Sequence, residues 1–354
     1  MKPFFLVIAA SVVWVSAATA QPTRYKNLVM EGAGVKGFAY AGALQVLDSL
    51  RILQDIERVG GTSAGAIQAC LLAVGYTPEE IMHIAANVPL KQFNDGAWFF
   101  GTGIRRLHNE FGYFKGDKIY KWIEQLVAGK TGDGNITFAQ LHALREEKKY
   151  KDLFVTGTDL TCQKLVIFSH ESYPDMRIKD AVRISLSIPL YYKPVLIDDA
   201  GKVYDKPDET KKLHIMVDGG VLSNYPLFLF DSTKYMTTAA ITETNKPVVN
   251  PETLGLLMEI PEQIKYNEQQ PGNSPLPIAS LRDYFKALYH TLIDKANPDG
   301  YGNYTLSRTI AIDNLHLFGR VRKLPQKTVN GLMESGREGV RKFFKVNSDL
   351  SASK

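Results

Sequence analysis

One serine of the chain lies between glycines in a pattern that is typical of nucleophilic catalysis. Residues 61–65, Gly-Thr-Ser-Ala-Gly, fit G-x-S-x-G with Ser63 at the centre. The pattern follows a predicted strand and precedes a predicted helix, a context in which a sharp turn lifts the serine oxygen out of the sheet. Gly61 and Gly65 are expected there because a Cβ would collide with the neighbouring strand and helix. An ordinary glycine-rich turn explains the same residues, so the pattern alone leaves both interpretations open.

A second glycine-rich segment satisfies G-x-G-x-x-G: Gly32-Ala33-Gly34-Val35-Lys36-Gly37. One interpretation is a dinucleotide fingerprint, with a pyrophosphate at the helix N-terminus and an acidic residue about 20 positions on, Asp55 or Glu57, at the ribose. The protein would then be a Rossmann-type oxidoreductase. The other interpretation uses the exposed backbone N–H groups as an oxyanion hole when a serine attacks an ester. Only this interpretation uses both glycine turns.

A serine nucleophile needs a base, and the segment Asp218-Gly219-Gly220 supplies a candidate. Asp218 ends a predicted strand, and the two glycines after it allow its carboxylate to lie against a neighbouring strand end. Taken alone, Asp-Gly-Gly is more often a turn. A Ser-Asp-His order would need His290 or His316 instead, and neither histidine sits in a recognisable loop context.

Hydrophobic spacing predicts the elements that position these residues. A strand over Lys26–Met30, the first glycine turn and a helix over Phe38–Leu50 form one unit. A strand over Ile56–Gly60, the second turn and a helix over Ala66–Val74 form another. Two such units in succession predict a parallel sheet with crossover helices. Further strands are predicted over Asp152–Thr158, Leu165–Ser169 and Leu213–Val217, and further helices over Asp117–Val127 and Lys327–Phe344.

The composition is that of a globular chain with a large core. Of 354 residues, 45% are hydrophobic and 22% charged, which excludes disorder, collagen and coiled coil. The net charge of +5 is spread without basic runs, so no nucleic-acid partner is expected. Two cysteines exclude a disulfide scaffold, and Cys70 is expected in the core. No His/Cys/Asp cluster with ligand spacing appears along the chain, so neither a metal nor a cofactor is expected.

The N-terminal residues have the pattern of an export signal. Lys2 precedes the apolar run Phe4–Val15, and Ala18-Thr19-Ala20 follows, which predicts a signal peptide over residues 1–20 that is cleaved before Gln21. A membrane span needs about 20 apolar residues, and this run is shorter. We therefore expect an exported protein, periplasmic or secreted, that is soluble or peripheral on membranes.

The three motifs, taken in order, resemble those of the patatin-like phospholipase family. The segments Gly157–Leu160 and Ala181–Pro189 are also similar to that family's sequence between serine and aspartate. The resemblance extends over roughly residues 25–322. Two positions depart from it, because the family's first motif has three consecutive glycines and often an arginine, where this chain has Ala33 and Lys36. Ala33 keeps a backbone N–H, so an oxyanion hole survives if the φ of Ala33 is negative. Lys36 keeps the positive charge of an arginine but cannot form the two parallel hydrogen bonds of a guanidinium group.

The resemblance implies a three-layer α/β/α fold with a mainly parallel central sheet over residues 24–324, then a C-terminal helix and tail over residues 325–354. Ser63 would be the nucleophile and Asp218 the general base. The oxyanion hole would be formed by N–H groups of Gly32, Ala33, Gly34 and Val35. The motif-supporting residues would be Lys36, Gly37, Gly61, Gly65, Gly219 and Gly220.

The implied activity is a lipid acyl hydrolase of the phospholipase A or lysophospholipase type, which works through an acyl-enzyme on lipid at a membrane or micelle surface. A non-catalytic lipid-binding member of the family is the alternative. An unperturbed aspartate, with a pKa of about 3.9, is a weak base at neutral pH, so Asp218 is expected to be partly desolvated. The aromatic residues Trp98, Phe99 and Phe100 either dock on lipid or fill the core under a loop.

Overall fold

The structure is a computed structural model that describes most of the chain. The described residues are 25–96, 100–237, 248–270, 272–281, 283–284, 287–288, 291, 303–317 and 323–345. The predicted signal peptide, Trp98, Phe99 and His290 lie outside these ranges, as does the side chain of Phe100. The predictions made for them therefore stay predictions.

The described elements alternate between strands and helices in the first half of the chain. The strands are Asn27–Met30 (β1), Arg58–Gly61 (β2), Gly112–Phe114 (β3), Asp152–Asp159 (β4), Lys164–Phe168 (β5), Leu190–Tyr192 (β6), Val195–Ile197 (β7), Val203–Tyr204 (β8), His214–Asp218 (β9), Thr253–Glu259 (β10) and Thr309–Asp313 (β11). The helices are Phe38–Ser49 (α1), Ala64–Ala73 (α2), Pro78–Asn87 (α3), Phe100–Glu110 (α4), Asp117–Thr131 (α5), Phe138–Ala143 (α6), Arg145–Lys148 (α7), Ile178–Ser185 (α8), Pro261–Asn267 (α9), Asn303–Ser307 (α10) and Gln326–Phe343 (α11).

The central sheet is mixed, and its two halves are paired differently. The strands β11, β10, β1, β2 and β4 are parallel neighbours. The strands β5, β9, β7 and β8 continue the sheet with antiparallel pairing, and β3 and β6 form a separate parallel pair. The α/β class with a mainly parallel central sheet is confirmed. The antiparallel half was not predicted.

Different layers cover the two faces of this sheet. Successive side chains of a strand point to opposite faces. Leu28 and Met30 of β1 pack into the core beneath the helices, whereas Val29 packs with residues 225–235 on the other face. Within the described residues, this second layer contains the short 3₁₀ helices Leu227–Phe230 and Thr233–Tyr235.

The edges of β4 bring two distant strand ends together. Val155 pairs with Gly61 of β2 and, on its other edge, with β5. Gly157 pairs with Asp218 of β9 and likewise with β5. β2 and β9 therefore share one edge of β4 and approach each other from opposite directions. The carboxyl end of β2 pairs with Val155 and that of β9 with Gly157, so the two ends lie about 7 Å apart along β4.

The helices that follow the glycine turns lie close to their predicted positions. α2 begins at Ala64, directly after Ser63 and two residues before the predicted start. α11 packs so closely on α1 that a Cβ on Gly336 would lie 1.9 Å from the carbonyl oxygen of Ala39. Among the helices of the described ranges, none has the length and apolar sequence that a membrane span requires. The domain limits at residues 24 and 324 stay predictions.

Candidate active site

Ser63 occupies a strained position at the start of α2. Its φ of 52° and ψ of −118° are unusual for a residue with a side chain, and such strain clusters at functional sites. The Ser63 N–H donates to the Ser185 Oγ at 2.8 Å. Flanking glycines are required because a Cβ on Gly65 would lie 2.2 Å from the Met30 oxygen, and one on Gly61 would lie 2.6 Å from the Gly65 carbonyl carbon. The turn therefore holds the serine at the carboxyl edge of the sheet.

Asp218 lies beside Ser63, close enough for the Ser63 side chain to lower the pKa of the Asp218 carboxyl. The Asp218 Oδ1 also accepts from the Gly220 N–H at 2.8 Å, and its backbone N–H donates to the Ser187 oxygen at 3.0 Å. Burial raises the pKa of Asp218 to about 7, although the hydrogen bonds from Gly220 and Ser63 oppose this shift. The desolvation that was expected for a base at this position is present.

The first glycine turn lies against the Ser63 turn. A Cβ on Gly32 would lie 3.4 Å from the Cβ of Ser63, and one on Gly37 would lie 3.0 Å from the Cβ of Ala64. A larger residue at position 37 would push the two turns apart, whereas one at position 32 would collide with the Asn224 Oδ1, 2.3 Å from the Cβ position. Gly37 thus packs directly on the first residue of α2.

The backbone of this turn presents free N–H groups. Ala33 has a φ of −126°, the negative value that a residue with a Cβ needs at this position. Gly34 has a positive φ of 54°. The N–H groups of Ala33, Gly34 and Val35 donate no hydrogen bond to any other described residue. The N–H of Gly32 differs from them, since it donates to the main-chain carbonyl oxygen of Asn224 at 2.9 Å. Of the four N–H groups predicted for the oxyanion hole, those of Ala33, Gly34 and Val35 are therefore free to bind an oxyanion.

A partly buried amide, Asn224, and a buried acid, Glu31, hold the first turn from behind. The Asn224 Nδ2 donates to the Glu31 Oε1 at 2.7 Å and to the Gly32 oxygen at 3.0 Å. The Glu31 Oε2 accepts from the Met258 N–H at 2.8 Å. Burial raises the pKa of Glu31 to about 8, and the charge of Lys36 opposes this shift. Asn224 therefore connects the predicted oxyanion turn with the segment that follows Asp218.

A second polar contact ties the Ser63 and Asp218 segments to β4. The Thr156 and Thr62 Oγ1 atoms lie 2.6 Å apart, and the Thr62 hydroxyl donates to the Ser223 oxygen. A Cβ on Gly219 would lie 2.3 Å from the Thr156 Oγ1, so the Asp218 turn packs on the same threonine. Asn224, Glu31 and the threonine pair were missed because no local pattern marks them. Ser185 falls in the segment Ala181–Pro189 that the resemblance had singled out.

An apolar pocket opens in front of Ser63, with a cavity volume of about 100 Å³. Its walls come from the glycine turn, one face of α2, and parts of α3 and α5. The apolar side chains include Val35, Phe38, Ile67, Leu71, Ile81, Ile84, Ala85, Val88, Leu90, Phe93, Ile119, Trp122, Leu186, Ile188 and Tyr192. Gln68 also lines the pocket, and its buried Oε1 has no hydrogen-bond partner among the described residues. From Ser63 to Leu71 the pocket follows α2 for ~12 Å.

A triad through His316 and a dinucleotide site do not fit this geometry. Among the described residues, no histidine lines the pocket, and the side chain of His316 is 52% exposed beside Glu262. Asp55 and Glu57 precede β2, so they lie at the edge of the sheet opposite the glycine turn. A dinucleotide site needs its acidic residue at the same carboxyl edge. The Rossmann interpretation is therefore wrong.

Two clusters of potential metal ligands lie away from Ser63, although none was expected from the linear spacing. In each cluster the ligand atoms lie within 4.8 Å of one another. The members are His142, Asp152 and His170 in one, and Asp159, Cys162 and His214 in the other. The fold assembles both from separate segments. Cys70 is buried, as expected, and Cys162 is exposed.

Sequence comparisons relate the chain to several proteins. A protein of Acanthamoeba polyphaga mimivirus is 29% identical over 323 residues, which cover 90% of this chain and 93% of that protein. YqhO of Bacillus subtilis is 33% identical over 230 residues, covering 62% of this chain and 71% of YqhO. The protein named probable lipid hydrolase 463L of Invertebrate iridescent virus 6 is 30% identical over 213 residues, covering 58% of this chain and 63% of its own length.

The fold is also similar to a solved structure. VipD from Legionella pneumophila superposes with a TM-score of 0.56 at 15% identity, over 91% of this chain and 67% of the VipD chain. The family model described as patatin-like phospholipase matches residues 28–231, a range that contains both glycine turns, Ser63 and Asp218. This match extends over more than half of the chain, which therefore belongs to the patatin-like phospholipase family.

Proposed function

We propose that the protein is a lipid acyl hydrolase in which Ser63 and Asp218 form a catalytic dyad. The observation that carries the proposal is that Ser63 lies at an apolar pocket and beside the buried carboxyl of Asp218. A serine needs an adjacent base to become a nucleophile. With a pKa of about 7, Asp218 suits that task at neutral pH. Family membership and the name of the iridescent virus relative support hydrolysis of lipids.

The reaction proceeds through two tetrahedral intermediates. Asp218 accepts the proton of the Ser63 hydroxyl as the Ser63 Oγ bonds to the ester carbonyl carbon, and the carbonyl electron pair moves to oxygen. The N–H groups of Ala33, Gly34 and Val35 stabilise this oxyanion. The intermediate collapses to an acyl-enzyme, and the leaving alcohol takes the proton from Asp218. Water then attacks the acyl-enzyme with Asp218 again as base, which releases the fatty acid and restores Ser63.

The pocket supplies the specificity for a long acyl chain. Ala64, Ile67 and Leu71 lie three or four positions apart, so they form one continuous face of α2 that leads away from Ser63. These side chains offer a polar head group no hydrogen bonds. Burial of an acyl chain against them is favourable by about 25 cal/mol per Å² of apolar surface. The acyl chain therefore occupies the pocket, and the leaving alcohol or head group points away from it.

Exposed apolar side chains near the pocket favour a lipid surface as the site of action. Leu190 is 67% exposed, and it lies between Ile188 and Tyr192, which both line the pocket. Val221 and Leu222, which follow the Asp218 turn, are more than one third exposed. We expect Leu190→Glu to lower hydrolysis of vesicle lipids and to leave hydrolysis of a monomeric ester unchanged. Leu160→Glu is the control, and an equal loss in both variants would contradict this docking surface.

The predicted N-terminal signal supports export of the mature enzyme, to the periplasm or the medium. The mass of the secreted protein tests this, since cleavage before Gln21 removes residues 1–20. An intact N-terminus on a protein retained inside the cell would contradict the proposal.

Ser63→Ala tests the proposed chemistry most directly. This variant should keep the fold and lose hydrolysis of a panel of phospholipid, lysophospholipid, galactolipid and neutral lipid by a factor of ~10³ or more. A fluorophosphonate should label the wild type and leave Ser63→Ala unlabelled. If the wild type binds these lipids but neither labels nor turns over any of them, the protein is a lipid-binding member of the family and not an enzyme.

A further inference from the structure

Three different ligand types converge at the start of β9, away from the catalytic dyad. Asp159 ends β4, Cys162 lies in the turn to β5, and His214 begins β9. The Asp159 Oδ2 lies 2.7 Å from the His214 Nδ1, and the Cys162 Sγ lies 3.6 Å from the same nitrogen. A carboxylate, a thiol and an imidazole are the three side-chain types that zinc prefers. We propose that Asp159, Cys162 and His214 bind zinc or a similar divalent transition metal.

The distances fit a tetrahedral ion closely. With Zn–N of about 2.1 Å and Zn–S of about 2.3 Å, two tetrahedral ligands lie ~3.6 Å apart, and a nitrogen and an oxygen ligand lie ~3.3 Å apart. The Cys162 Sγ and the His214 Nδ1 already have this separation. The contact of Asp159 with His214 must lengthen by ~0.6 Å, a movement within reach of a carboxylate rotation.

The surrounding contacts orient the three ligands. The His214 Nε2 lies 2.9 Å from the Asp199 Oδ1, so a proton on Nε2 leaves Nδ1 free to bind a metal. Ligating histidines almost always donate their second N–H in this way. The Asp159 Oδ1 accepts from the Cys162 N–H at 3.1 Å, which leaves Oδ2 for the ion. Lys212 lies 3.0 Å from Asp199 and balances its charge.

The charges of the ligand set also match a divalent ion. The Asp159 carboxylate and a Cys162 thiolate together neutralise two positive charges. Binding releases the thiol proton, and a proton from the His214 Nδ1 where it is present, to solvent. Cys162 is exposed, so the ion has a path from solvent, and the fourth position is left for water. The bound ion would join the β4–β5 turn to the strand that carries Asp218.

The second cluster is a poorer metal site. The rings of His142 and His170 stack at 3.9 Å with an angle of 9°, so their nitrogen lone pairs run side by side and do not converge. The Arg145 guanidinium also forms an ion pair with the Asp152 Oδ2, at 3.0 Å. A guanidinium at that carboxylate competes with a cation for the same charge.

The metal site is separate from the catalytic chemistry. His214 lies four residues before Asp218 along β9, about 13 Å away. The Ser63 mechanism assigns no step to a metal, so hydrolysis should persist in EDTA whether or not the metal site exists. Loss of metal should instead lower the Tm of the protein, because a ligand that binds only the folded state stabilises it.

Binding of Co²⁺ and Zn²⁺ to the EDTA-treated, dialysed full-length protein tests the proposal. We expect one equivalent of each ion to bind, with a thiolate-to-Co²⁺ charge-transfer band. Cys162→Ser should abolish the band, and Cys70→Ala and His170→Ala should keep it. Asp199→Asn should weaken Zn²⁺ binding about 10- to 100-fold while the band remains, and Asp208→Asn is its surface control. No binding to the wild type, a band that survives Cys162→Ser, or a band lost in His170→Ala would each overturn the proposal.

Discussion

The two sides of Ser63 are built from opposite kinds of residue. Behind the serine, Thr62, Thr156, Asn224 and Glu31 form a polar network in which backbone and side-chain groups are paired. In front of it, the walls of the pocket are apolar except for Gln68 and the hydroxyl group of Tyr192. Under the proposed mechanism, the polar side fixes the reacting atoms and the apolar side binds an acyl chain. Changes behind Ser63 should therefore lower kcat, and changes in front should alter which ester is preferred.

Asp218→Asn removes the proposed base on the polar side and should have the largest effect. The amide oxygen still accepts from the Gly220 N–H, so the fold is kept, but no group accepts the Ser63 proton. We expect kcat on a soluble ester to fall by a factor of ~10³ or more. Circular dichroism checks folding, and His316→Ala and His290→Ala are the matched controls. An inactive histidine variant together with an active Asp218→Asn would make the enzyme a triad hydrolase.

The pH dependence of hydrolysis reports the desolvation of Asp218. Below a pKa of about 7 the carboxyl is protonated and cannot accept the Ser63 proton. The plot of kcat/KM should therefore fall about tenfold per pH unit below neutrality, whereas an ordinary aspartate would place that limb near pH 4. Measurements from pH 5 to 9 on a soluble ester decide between them. Glu31→Gln is the control for the neighbouring buried acid, and a limb that moves in this variant would assign it to Glu31.

The polar side also shows what the sequence can and cannot predict. The Ser63 turn with its glycines was predicted because the pattern is local, and Asp218 was a candidate from its short motif that the family resemblance singled out as the base. Asn224 and Ser185 reach the site from segments more than a hundred residues away in the sequence, and no spacing records such contacts. The antiparallel strands β7 and β8 contain three and two residues, too few to show a period.

The apolar side can be tested through chain length. Ala85 lines the pocket on α3, and Ala85→Leu places three further carbons in the space for the acyl chain. We expect kcat/KM for long-chain esters to fall about tenfold, because one methylene in a hydrophobic pocket changes discrimination by that order. Short-chain esters should stay within about twofold of the wild type. A series of p-nitrophenyl esters measures both, and an equal loss at every chain length would indicate damage to the fold and not a shorter pocket.

Gln68 carries the amide group among the described pocket residues, and its replacement should have the smallest effect. Its Oε1 is buried without a partner in the described structure, and an unsatisfied polar group costs about 1–3 kcal/mol of stability. Leucine has a similar size and no polar atoms, so Gln68→Leu should raise the Tm by a few degrees. Gln54→Leu, at an exposed position, should change the free energy of unfolding by less than about 0.5 kcal/mol. A lower Tm for Gln68→Leu beside an unchanged Gln54→Leu would mean that the amide is paired, for example with a buried water, and that the pocket is less apolar than its walls indicate.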